Sequence, residues 1–174
     1  MIVAAMRLAQ PDMPIEQATR HAKVLQVVAQ QHGFDPLTGV AIIKLESGWD
    51  PGRVSENRED YGLAQIRARY IGACRSDADP VNKPSKACRA VQTELLDADA
   101  NIRKMGELVT LNRELCRRKV GSTALERWLA SYQGRNFPEQ RRWCQPGEQT
   151  WAVIRYRQWL LKELGKGRGK GRSS

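Results

Sequence analysis

From Ile15 to His32, apolar residues recur at three- and four-residue steps: Ala18, Ala22, Leu25, Val28 and Ala29. That spacing lines one face of an α-helix, and Gly33 supplies a stop. Asp35 followed by Pro36 reads as an N-cap with proline at the first helical position. The segment Leu37 to Glu46 is apolar almost all round, through Leu37, Val40, Ala41, Ile42, Ile43 and Leu45. Such a helix belongs in the middle of a core. Ser47 to Tyr61 holds Gly48, Asp50-Pro51-Gly52 and a run of charges. It is expected as a loop with a short β-hairpin around residues 50–61. Gly62 to Ile71 is apolar enough to be expected as a return to helix.

Residues 75–88 are polar, contain Pro80 and Pro84, and form a connection. Helix resumes over Val91 to Val109, with Leu95, Ala98, Ile102, Met105 and Val109 on one stripe. Thr123 to Glu126 fits a capping box opening a helix through Leu129 to Tyr132. Gly134 to Gly147 is loop-like, and a last helix over about residues 149–164 uses Val153, Tyr156, Leu160 and Leu164. Residues 165–174 alternate Gly with Lys and Arg and have no apolar anchor, the composition of a disordered basic tail. No internal repeat appears. The pattern predicts one mainly α domain over residues 1–164.

Composition agrees with a single core: 174 residues, 41% of them apolar, with five Trp. A net charge of +10 favours polyanionic surroundings, whether nucleic acid, an anionic membrane face or an acidic cell envelope. No helix-turn-helix, zinc-finger or RNA-recognition signature is present, so no specific nucleic-acid partner is expected. No stretch is long enough to span a bilayer. The apolar opening Met1 to Gln10 lacks a basic n-region and does not read as an intact signal peptide, which leaves the export route open. Cys74, Cys88, Cys116 and Cys144 form an even set that suits two disulfides in an oxidising compartment. Three pairings are possible, and Cys74–Cys88 with Cys116–Cys144 staples two polar segments locally. Two His and no Cys-x-x-Cys pair argue against zinc.

Chemistry concentrates at the end of the apolar helix. Glu46 closes it and faces a glycine-containing loop, so it is expected at a cleft wall, partly removed from water. Desolvation penalises the carboxylate and raises its pKa. An acid usable near neutral pH is what glycosidic cleavage needs, because the leaving sugar oxygen departs poorly unless protonated.

The surrounding residues resemble the soluble lytic transglycosylase family, whose motif runs Glu-Ser-x-aromatic-x-Pro-x-Ala-x-Ser, then, after a short loop, Gly-Leu-Met-Gln-Ile. Glu46, Ser47, Trp49, Pro51 and Ser55 match the first block; Gly62, Leu63, Gln65 and Ile66 match the second. Asn101-Ile102 resembles a third block, and Ala130 with Tyr132 and Gly134 resembles a fourth. The likeness spans roughly residues 20 to 137. It implies a lysozyme-like helical fold acting on peptidoglycan, with Glu46 as single acid/base and no metal or organic cofactor. Cleavage between N-acetylmuramic acid and N-acetylglucosamine would yield a 1,6-anhydro sugar. By the same resemblance Ser47, Ser55, Gln65 and Asn101 shape the cleft or bind sugar, and Tyr132 lies near the acid.

The chain departs from that pattern at Arg53, Ala64 and Gln133, has one extra residue in the loop after Ser55, and carries Glu59-Asp60 where the family often has Gly-Ala. A second carboxylate could activate water and make a muramidase or chitinase-type hydrolase. Inverting sites hold their carboxyls roughly 6.5–9.5 Å apart. Asp60 is the first choice for that role, with Glu56 and Glu59 behind it. Among the aromatic residues, Trp49 is expected in the core, and Trp128, Trp151 and Trp159 as helix packing. Tyr61 and Trp143 are expected to stack on sugar rings. A monomer in the periplasm, outside the cell or on a phage fits these features, with peptidoglycan strands and acidic envelope polymers as partners.

Overall fold

The computed structural model describes residues 1–169, with side chains through Lys166. Seven α-helices and one small antiparallel ribbon make up the described chain, a mainly α fold with a short hairpin. The order is α1 (Ile2–Ala9), α2 (Ile15–His32), α3 (Pro36–Glu46), β1 (Asp60–Tyr61), β2 (Ile66–Arg67), α4 (Lys86–Glu94), α5 (Ala98–Val120), α6 (Leu125–Tyr132) and α7 (Glu148–Gly169).

Helix α3 forms the centre, as its unbroken apolar run requires: every residue from Leu37 to Ile43 is buried. Asp35 caps it by accepting the Leu37 N–H at 3.1 Å, while its other carboxylate oxygen receives Arg157 of α7. Helices α1, α2 and α7 pack around α3, and α5 lies against α2. Leu45, expected in the core, is 46% exposed, because the last turn of α3 emerges from the bundle. The Met1 to Gln10 opening also belongs to the core. Helix α1 buries Ile2, Ala5, Met6 and Ala9, which recur at helical spacing.

Three expectations are corrected. Gly62 to Ile71 is not a helix. Gly62 and Gln65 take left-handed backbone angles (φ +73° and +45°), which turn the chain back so that Asp60 pairs with Arg67 and Tyr61 with Ile66. A Cβ at position 62 would collide with the Leu95 carbonyl and the Asn101 amide, so only glycine fits. The hairpin thus lies at 60–67, with Val54 joined by a single bridge to Tyr61. The Val91 to Val109 stripe is divided between two helices, because Asp97 caps α5 by accepting the Ala100 N–H at 2.8 Å. Finally, α6 starts after Ala124 and has no side-chain cap, since Ser122, not Thr123, folds back onto the Ala124 N–H.

Helix α7 continues to Gly169, five residues into the segment expected to lack structure; residues 170–174 lie outside those described. Disulfides join Cys74 to Cys88 and Cys116 to Cys144, the local pairing, and no described cysteine is free. The first ties the turn after the ribbon to α4. The second ties α5 to the loop entering α7.

Candidate active site

Glu46 is the last residue of α3, where Ser47 and Gly48 still donate to the carbonyls of Ile43 and Lys44 before Trp49 turns the chain in a left-handed conformation. The half-buried carboxyl borders a cleft of about 580 Å³. One wall is the ribbon with Ile66, Arg67 and Tyr70; the other is the end of α6, with Tyr132 and Gln133, and the loop carrying Trp143. Burial raises the Glu46 pKa from about 4.5 to about 7; a hydrogen bond from Gln133 opposes that shift, the Asp60 charge adds to it, and Arg53 opposes it. Half of Glu46 is therefore a proton donor at neutral pH. No group of three His, Cys, Asp or Glu able to hold a metal occurs among the described residues.

Asp60 borders the same cleft. Its carboxylate is held by Arg67, its partner across the ribbon: Nε donates to Oδ1 at 3.0 Å and a terminal nitrogen to Oδ2 at 3.3 Å. Glu59 sits between Arg67 and Arg69, and Glu56 is exposed in the loop. Arginine thus fastens both Glu59 and Asp60 and stiffens the ribbon.

The residues expected to bind sugar divide into two groups. Gln65 and Tyr132 line the cleft. Gln65 also donates to the carbonyls of Gly62 and Arg53, at 2.9 and 3.1 Å, which locks its left-handed turn. Tyr132 donates its hydroxyl to the Ala64 carbonyl at 2.9 Å; burial, then the charges of Glu46 and Asp60, hold its pKa well above the ordinary tyrosine value. The others do not reach the cleft. Ser47 is buried, with its hydroxyl accepting the Trp49 N–H. Ser55 gathers the N–H groups of Glu59 and Asp60. Tyr61 is buried in the core.

Asn101 is 0% exposed and fully engaged: it donates to the carbonyls of Tyr61 and Leu95 and accepts the Ala64 N–H, all within 2.9 Å. These residues build the ribbon and hold it against the helices. The assignment of sugar contacts to Ser47, Ser55, Tyr61 and Asn101 is corrected accordingly.

Of the aromatic residues, Trp49 and Trp128 are buried, as expected. Trp143 is on the cleft wall, with the Lys119 ammonium 4.7 Å from its ring centre. Tyr70, 63% exposed, stands in the same cleft and was not legible, because the segment containing it had been read as helix. Trp151 and Trp159 are 43% and 39% exposed rather than packed.

Gln133 and Thr150 are the site residues that pattern reading missed. The buried Thr150 hydroxyl donates to Gln133 Oε1 at 2.8 Å, which turns the amide N–H₂ away from Thr150 and leaves it for Glu46. Thr150→Val is expected to release this amide and raise the Glu46 pKa by about one pH unit, as a carboxylate losing a donor requires. Thr150→Ser should retain the original value. NMR titration of the Glu46 carboxyl reads this directly, and identical titration curves for both variants would contradict it.

No protein-family model matches the chain, and no curated protein and no solved structure matches it either.

Proposed function

We propose that the protein cleaves the glycan strands of peptidoglycan as a lytic transglycosylase, with Glu46 as its acid and base. The observation that carries this reading is a carboxyl with a pKa of about 7 at the wall of an open cleft. Its volume of about 580 Å³ falls within the range of sites that enclose small ligands. Trp143 and Tyr70 offer flat faces for sugar rings beside the acid.

Protonated Glu46 gives its proton to the oxygen of the bond between N-acetylmuramic acid and N-acetylglucosamine, and the C1–O bond breaks with the electron pair leaving on that oxygen. The substrate's own acetamido oxygen shares the positive charge developing at C1. Glu46, now a carboxylate, takes the proton of the C6 hydroxyl as that oxygen bonds to C1. The products are a free sugar hydroxyl and a 1,6-anhydro ring, and the acid is regenerated without water. Gln133 steadies the carboxylate between the two proton transfers, and the closeness of Asp60 keeps its basicity high enough to recover the proton.

Asp60 supports a second reading, that of an inverting hydrolase, because it borders the cleft and its charge reaches Glu46. Against it, both Asp60 oxygens accept from Arg67, a pairing that a water-activating base must weaken. Mass spectrometry of digested peptidoglycan separates the two. Anhydro-muropeptides from the wild type and from Asp60→Asn are expected. Reducing ends that disappear in Asp60→Asn would replace transglycosylation with hydrolysis, and undigested glycan would remove both.

Two disulfides suit an extracellular or periplasmic location. The +10 charge suits a substrate carrying acidic polymers, and attraction of this kind weakens with salt.

A further inference from the structure

Helix α7 is apolar where it meets the bundle, through Val153 and Leu160, and carries large apolar groups on its outer face as well. Trp151, Arg155, Trp159, Lys162 and Lys166 are all exposed. At the helical repeat they share an arc of roughly 80°. Leu161, 44% exposed, flanks this arc. Tyr156 packs beside Trp159 with ring centres 5.1 Å apart. Arg155 pairs with Glu148 and Lys166 with Glu163, whereas Lys162 has no ion pair among the described residues.

The sequence from Glu148 to Ser174 contains seven basic residues and two acidic ones, so half of the chain's +10 lies in this stretch.

We propose that the outer face of α7 docks on the anionic headgroup layer of a lipid bilayer. Two observations select this partner. The face interleaves cations with indoles and an exposed leucine. A nucleic acid or an acidic glycan gains from the cations and can stack on indoles but has little use for Leu161. At the boundary between headgroups and acyl chains, all three apolar groups leave water while the long Lys and Arg stems reach outward to phosphate. Second, no described helix is long and apolar enough to cross a membrane, so α7 would lie on the surface rather than span it. The basic residues that follow it in sequence add the second attachment that stable anchoring needs.

The proposal is independent of the glycan-cleaving reading. It has a positional consequence, however: the first turn of α7 holds Gln149 in the cleft wall and Thr150 against Gln133, so docking would set the cleft beside the lipid surface.

Flotation of the full chain with vesicles provides the test. With phosphatidylcholine vesicles containing one part in three phosphatidylglycerol, the protein should float, its tryptophan emission should shift to the blue, and salt should reverse both. Phosphatidylcholine alone should leave it in the pellet fraction. Lys162→Glu, a change at an exposed unpaired side chain, should weaken binding about tenfold. The double variant Trp151→Ser, Trp159→Ser should abolish the blue shift while keeping the helical circular dichroism. Equal binding to both vesicle types, no flotation, or undiminished binding by both variants would overturn the proposal. Retention on purified wall glycan or nucleic acid without flotation would also overturn it.

Discussion

Glu46→Gln is expected to abolish glycan cleavage while making the folded protein more stable at neutral and alkaline pH. A positioned acid/base contributes roughly 10²–10⁴-fold to rate, and Gln can neither give nor take the proton. The stability effect follows from the raised pKa, about 7 in the folded protein against an ordinary value near 4.5. Between those pH values the folded state keeps a proton that the unfolded state has lost, so stability falls as pH rises through this window. Above it, the ionised carboxyl costs the fold about 3 kcal/mol, a penalty that Gln escapes. Thermal melts should give equal midpoints near pH 4, with the variant ahead by several degrees at pH 8. The wild-type rate should fall as pH climbs past about 7, where the acid loses its proton. Undiminished cleavage by the variant would end the functional proposal; a stability difference that ignores pH would contradict the burial of Glu46.

Asn101→Ala is expected to have the largest effect on folding. It strands three buried backbone groups, the carbonyls of Tyr61 and Leu95 and the N–H of Ala64. Losing one such partner costs about 1–3 kcal/mol, and the three together, partly relieved by relaxation, about 3–5 kcal/mol. Urea denaturation measures the loss, and amide exchange at Ala64 should accelerate beyond it as the ribbon detaches. Cleavage should drop in proportion to the detached fraction. A variant with wild-type stability and weakened glycan binding would instead make Asn101 a sugar contact.

The legibility of this chain follows the range of the interactions. Helices α2 and α3 were readable because their signals are local: an apolar spacing closed by Gly33, and an Asp35-Pro36 start. Glu46 was readable because it ends an unbroken apolar run, and its raised pKa has the predicted cause, burial. The ribbon was not readable. Gly62 to Ile71 is apolar in any conformation, and nothing local says that Gly62 and Gln65 adopt left-handed angles; the obstacle at Gly62 is Leu95 and Asn101, from distant sequence. Motif matching placed Ser47, Ser55 and Asn101 near the site but could not tell a residue that touches substrate from one that shapes the wall. Gln133 and Thr150 lie 17 positions apart and become partners only after α6 and α7 have packed.

Ala64 is gripped at both its main-chain groups, by Asn101 through its N–H and by Tyr132 through its carbonyl, from 37 and 68 positions further along the chain. A ribbon with two paired residues on each strand has little cohesion of its own. A nascent chain that has reached residue 100 therefore contains Glu46 and the entire ribbon but neither of the side chains that fasten it. One that stops short of Tyr132 has the acid without a closed wall. The ability to cut arrives with the last third of the polypeptide, so translation itself withholds it until the molecule is nearly complete.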